Sequence, residues 1–187
     1  MKTLQDLYLH ELQVLCSAEM QIKNALPRII KAASCPDLKA ALKSHYQLTQ
    51  KHLGRLSEVL RNHSVTPQDQ TCEGIYGLLQ EWKNLQIEEG DDAVVRDLDI
   101  IAKCQRVKHY EIASYGSARA YAEQLGHYDD VALLTETLEE ESGMDDELTS
   151  ASIILLCDSS RVPKVNVVNP RAGSGYDSLG HTPLVAL

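Results

Sequence analysis

Phenylalanine is absent from this 187-residue sequence and tryptophan occurs once. The candidate core is therefore mostly aliphatic. No apolar run approaches the ~18 residues that a membrane-spanning helix needs. Basic residues are in deficit, 18 against 27 acidic ones, for a formal charge of −9. Tight non-specific binding to nucleic acid needs clustered Lys and Arg, and docking on an anionic membrane needs the same. Neither partner is expected. The five cysteines at 16, 35, 72, 104 and 157 are odd in number and form no C-x-x-C pair. A reduced, cytoplasmic compartment fits, with the thiols packed as small apolar groups. The opening Met1-Lys2-Thr3-Leu4-Gln5-Asp6 is amphipathic and lacks an apolar h-region, so it does not read as a secretory signal. Alternating strand patterns and Asn-Gly hairpin signals are also missing. A chain of this size buries enough surface to fold without a metal or a disulfide.

What is present is helical periodicity. Leu4, Leu7, Leu12, Leu15, Ile22, Leu26 and Ile29 recur near a 3.6 spacing over residues 3–33, with a kink or distortion expected at Pro27. Pro36 is placed to open a second helix running to about Asn62. A shorter helix is expected over 71–88. Asp92 is positioned to cap a long helix over 92–125, which Gly126 stops. A last helix is expected over 128–157. Helices of ~30 residues are ~45 Å long, and joined by short loops they pack as an antiparallel bundle. The short helix falls where a crossover between the second and third long helices is needed. Residues 158–187, with Pro163, Pro170, Gly173, Gly175 and Pro183, read as a separate, flexible tail. Its end, Pro183-Leu-Val-Ala-Leu187, is a candidate docking peptide. The reading is an all-α bundle over 1–157 followed by that tail.

Polar residues on the apolar seams carry the functional signal. Glu19 falls between Leu15, Ile22 and Leu26. His45 and His52 stand seven residues apart with Leu48 between them. Lys108 and Glu111 align with Ile101, Cys104 and Tyr115. Glu136 and Glu140 align with Leu133, Met144 and Leu148. An ionised carboxylate in a bundle core is costly unless paired or bound to a cation. Carboxylates and an imidazole converging from four helices are how bundles build two-metal sites, and that donor mix suits iron or manganese. The plainer reading makes each acid a rim or ion-pair residue, each histidine an ordinary core or surface residue, and Lys108 a snorkelling side chain.

Cys16-Ser-Ala-Glu19-Met-Gln21, Thr49-x-x-His52-Leu-x-Arg-Leu56 and Cys72-x-Gly-Ile-x-Gly-Leu78 resemble segments of the YciE/YciF family of bacterial ferritin-like proteins. So do His109-Tyr-Glu-Ile-Ala-Ser-Tyr-Gly116 and Leu134-x-Glu136-Thr-Leu-x-Glu-Glu141. The resemblance covers residues 1–157. It implies a rubrerythrin- or ferritin-like fold, a homodimer, a link to stress responses and a carboxylate-bridged di-iron site. By that resemblance the ligands are Glu19, His52, Glu111, and Glu136 with Glu139 or Glu140. Two positions depart from the family pattern: Leu48 and Lys108 stand where members carry Glu. Two negative charges are lost and a positive one gained, which is large for a low-dielectric site. Three outcomes follow. One ion is held by Glu19, His52 and nearby acids; or the Lys108 ammonium replaces a metal, pairing with Glu111 and another Glu; or Lys108 points to solvent and a weakened two-metal site survives. The functional reading is a divergent stress protein of this family with a weakened or partly lost di-iron site and iron or peroxide chemistry. The alternative is a non-catalytic dimeric bundle whose polar seam is an ion-pair network centred on Lys108. The sequence does not decide whether the protein is an enzyme.

Overall fold

A computed structural model describes residues 1–67, 71–82 and 92–157. The proposed tail, residues 158–187, and the end of the expected third helix lie outside the described residues. Five helices are present among the described residues: α1 (Leu4–Ala32), α2 (Pro36–Asn62), α3 (Glu73–Gln80), α4 (Ala93–Leu125) and α5 (Tyr128–Cys157). The described residues contain no strand.

Each long helix starts or stops where local chemistry requires. Thr3 accepts a hydrogen bond from the Asp6 backbone N–H while the Asp6 carboxylate accepts from the Thr3 N–H, a reciprocal cap that satisfies otherwise orphaned donors. Pro36 opens α2, where its missing N–H costs nothing. Asp92 accepts from the Val94 and Val95 N–H groups at the start of α4. Gly126 ends α4 at φ +76°, a left-handed conformation that favours glycine. Pro27 lies inside α1, which continues through it to Ala32.

The buried positions repeat in heptads. On α1 they include Tyr8, Leu12, Leu15, Glu19, Ile22, Leu26 and Ile29, and on α2 Leu38, Leu42, His45, Thr49, His52, Leu56 and Val59. On α5 they are Asp130, Leu134, Thr137, Glu141, Met144 and Leu148. This spacing keeps one narrow seam of each helix against its neighbours along the bundle. Thr49, not Leu48, lies on the α2 seam; Leu48 is half-buried.

Contacts at the two ends fix the topology. Asp97, near the start of α4, accepts from the Ser34 and Cys35 N–H groups in the α1–α2 turn, at 2.7 and 2.6 Å. At the other end Tyr8 donates to Asp130 at 2.9 Å, and His63 Nε2 lies 2.6 Å from the same carboxylate oxygen. So α2 ends where α5 begins, and α4 begins where α1 ends. The end of α2 and the start of α4 thus lie at opposite ends of the bundle, with α3 between them in sequence. Helix α3 packs on α1 and α4. Every neighbouring pair of long helices is antiparallel: α1 with α2, α4 with α5, α1 with α4, α2 with α5. This is the ferritin-like arrangement.

Two apolar clusters fill the interior. One contains Ile22, Leu26, Leu42, Ile100, Ile101, Cys104 and Met144. The other contains Tyr8, Leu12, Leu15, Leu56, Val59, Tyr115 and Leu134. Between them lies a layer of charged and polar side chains.

Candidate metal centre

Four helices supply that layer. Helix α1 contributes Glu19, α2 contributes His45 and His52, α4 contributes Lys108 and Glu111, and α5 contributes Glu141, all buried. Each sits on its helix's heptad seam, so the apolar spacing that forms the bundle also aims these groups inward.

The donor atoms fall into two groups that share Glu141. In the first, ligand atoms of Glu19, His52 and Glu141 lie within 4.8 Å of one another. His52 Nδ1 is 3.2 Å from Glu19 Oε1 and 2.9 Å from Glu141 Oε1. Glu19 Oε2, His52 Nδ1 and Glu141 Oε1 are buried without an aligned hydrogen-bond partner. Two buried carboxylates closing on one imidazole nitrogen, with Glu19 Oε2 left without a hydrogen-bond partner, make a donor set that fits a divalent cation. A carboxylate–imidazole–carboxylate set suits iron or manganese. Burial alone pushes the His52 imidazole down, but Glu141 and Glu19 outweigh it and raise the ring to about 10 without metal. A cation held by these residues would take the place of the Nδ1 proton. Tyr115 donates to Glu19 Oε1 at 2.7 Å and orients the carboxylate.

His52 Nε2 lies 2.9 Å from Glu140 Oε2 on its other side. Arg55 grips Glu140 at 2.5 Å and also pairs with Glu136. A carboxylate behind the imidazole fixes its tautomer and ring plane, which would leave Nδ1 to hold a metal. Desolvation pushes Glu140 up, but Arg55 and His52 hold it below its ordinary range.

The second group is His45, Glu111 and Glu141, also within 4.8 Å. Lys108 Nζ stands among these atoms. It is 2.6 Å from His45 Nε2 and 2.5 Å from Glu111 Oε2, and it donates to Glu141 Oε2. The lysine is fully buried, so it neither snorkels nor reaches solvent. Burial works against its charge, yet Glu111 and Glu141 together keep it protonated. Burial, with Lys108 beside it, holds the His45 ring down at about 3, so it is a neutral acceptor. Glu141 is held low by Lys108 against burial, whereas burial and the charge of Glu141 raise Glu111.

The structure brings Glu19, His52 and Glu111 into this layer. Glu140 touches His52 from outside it, with 24% of its side chain exposed, against 1% for Glu141. Glu136 is 59% exposed and turned to Arg55, and Glu139 is exposed. The inward acid of α5 is Glu141, which the alignment with Leu133 passed over. The overlooked signal was the heptad Leu134, Glu141, Leu148.

The family described as "Domain of unknown function (DUF892)" matches residues 3–153. The chain belongs to that family. Protein YciF of Escherichia coli strain K12 is 39% identical over 154 residues, 82% of this chain and 92% of the relative. The crystal structure of the E. coli stress protein YciF shares the fold with a TM-score of 0.78 at 37% identity, over 83% of this chain and 98% of the other. YcfI from Rhodopseudomonas palustris gives a TM-score of 0.75 at 40% identity, over 80% and 95% of the two chains. A ferritin-like, diiron-carboxylate protein of Bacillus anthracis shares the fold alone, at 15% identity and a TM-score of 0.62, over 81% and 99%. The YciE/YciF resemblance and the ferritin-like bundle are thus borne out. Among the described residues of this DUF892 member, no helix is long and apolar enough to cross a membrane.

Proposed function

We propose that this protein is a YciF-type, ferritin-like metal protein whose centre holds one divalent ion on Glu19, His52 and Glu141. The convergence of buried ligand atoms of Glu19, His52 and Glu141, from α1, α2 and α5, within 4.8 Å of one another carries this reading. Iron is the proposed metal, with manganese as the second choice by donor type. When bound, iron supplies one-electron redox chemistry, for which Fe²⁺ oxidation or peroxide reduction are the candidate reactions. The chain's own groups position and insulate it. Glu140 and Arg55 orient His52, Tyr115 fixes Glu19, and the two apolar clusters keep bulk water from the layer. The proposed setting is a stress response in the cytoplasm: the E. coli relative is a stress protein, and the five cysteines here are free, as a reducing compartment would keep them. A homodimer is proposed, supported by exposed Ile153, Ile154 and Leu156 near the end of α5.

Elemental analysis of protein purified without chelators tests the centre, followed by Fe²⁺ titration in air. Ferric absorbance that disappears in Glu19→Gln and His52→Ala is expected. No retained metal and no such absorbance would reject the proposal. Lys108's buried contacts support the alternative, an ion-pair network, for the other half of the layer. The two readings coexist because they share only Glu141, which turns one oxygen to His52 and the other to Lys108.

A further inference from the structure

We infer that Lys108 is a resident cation holding the second ion position of this layer, so the chain takes one divalent ion, not two. The inference rests on the proposed metal reading of the Glu19 group and deepens it.

The geometry is specific. Lys108 Nζ touches each member of the second donor group: His45 Nε2 at 2.6 Å, Glu111 Oε2 at 2.5 Å, and Glu141 Oε2. An ammonium has three donors and no acceptor, and here it meets three acceptors from α2, α4 and α5. A metal at that place would need the same atoms at roughly 2.0–2.2 Å from itself. It would overlap Nζ, so ammonium and ion exclude one another. The lysine has no exposed surface through which to withdraw. The remaining contacts point the same way. Glu141 is shared between Lys108 on one oxygen and His52 on the other. The bridging place of a two-ion centre is therefore kept, with a fixed single charge in one half. One consequence is that the second donor group keeps a fixed positive partner whether or not metal is supplied. The bundle then folds without loading, and only the Glu19 half responds to metal.

The test uses the full chain, freed of metal by a chelator and titrated with Mn²⁺, which is stable in air. Bound ions per chain are counted after equilibrium dialysis, and electron paramagnetic resonance distinguishes an isolated ion from a coupled pair. The expected result is one ion with an isolated-ion spectrum for wild type, and two ions with a coupled spectrum for Lys108→Met. Two ions in wild type overturn the inference without any variant. One ion in both proteins also overturns it. No ion in wild type rejects the metal reading of Glu19, His52 and Glu141 instead; a Lys108→Met protein that then binds an ion lost by Glu111→Gln would still uphold the role of Lys108. If Lys108→Met does not fold without metal, Lys108→Gln replaces it, retaining a polar partner for Glu111 and Glu141. Its melting temperature should rise more with Mn²⁺ than that of wild type, and an equal rise overturns the inference.

Discussion

Two neighbouring acids on α5 should behave very differently when each is neutralised. Glu141 is 1% exposed and touches both Lys108 and His52, whereas Glu140 is 24% exposed and pairs with Arg55 at the bundle's edge. Glu141→Gln leaves the buried Lys108 ammonium with Glu111 as its only carboxylate partner. Removing one member of a buried ion pair costs about 3–5 kcal/mol. Glu140→Gln breaks a partly solvated pair worth about 0–1 kcal/mol. Urea unfolding of the metal-free proteins should therefore separate the variants by about 3 kcal/mol at unchanged m-value. At about 2–4 °C per kcal/mol, Glu141→Gln should melt roughly 6–12 °C below Glu140→Gln. Metal affinity adds a second readout. Glu141→Gln removes a proposed ligand, while Glu140→Gln only loosens the orientation of His52, an effect of about 10–100-fold. Equal stability losses, or a larger loss for Glu140→Gln, would refute the assignment of Glu141 to the interior.

Three further expectations concern the same framework. Asp97→Ala strips the acceptor from the Ser34 and Cys35 N–H groups and should cost about 3 kcal/mol or more by chemical denaturation; a loss under about 1 kcal/mol would show that water replaces the carboxylate. Tyr115→Phe leaves Glu19 Oε1 without its 2.7 Å donor and should destabilise the metal-free protein by about 1–3 kcal/mol, with added Mn²⁺ recovering part of it; no change in either measurement would remove the orienting role. Acid should also expose His45. The unfolded ring takes up its proton near 6.5, but burial and Lys108 delay this to about 3 in the fold. The stabilising effect is full above pH 6.5 and is lost as pH falls towards 3, with a slope of at most ~1.4 kcal/mol per pH unit. His45→Gln should flatten the metal-free stability profile in that window, and an unchanged slope would refute it.

Local chemistry alone determined much of this protein. Thr3, Pro36, Asp92 and Gly126 act within a turn of their own positions, so their signals are readable without knowing the fold. Leu15, Ile22 and Leu26 likewise fix the inward face of Glu19, because apolar neighbours three and four residues away leave one rotation of the helix. The same holds for Lys108 and Glu111 between Cys104 and Tyr115. Glu139-Glu140-Glu141 is different. Each residue turns the helix by about 100°, and three successive acids offer a carboxylate to almost any rotation. Leu133 and Leu134 compete for the seam, so the choice fell to packing: Leu134 docks in one apolar cluster, Met144 and Leu148 in the other, and Glu141 between them is carried inward. Only the tertiary structure could decide where Lys108 ends. A long flexible stem reaches water from many seam positions. What holds this one inside is a trio of acceptors from His45, Glu111 and Glu141, which are far apart in sequence and adjacent only once the bundle has formed.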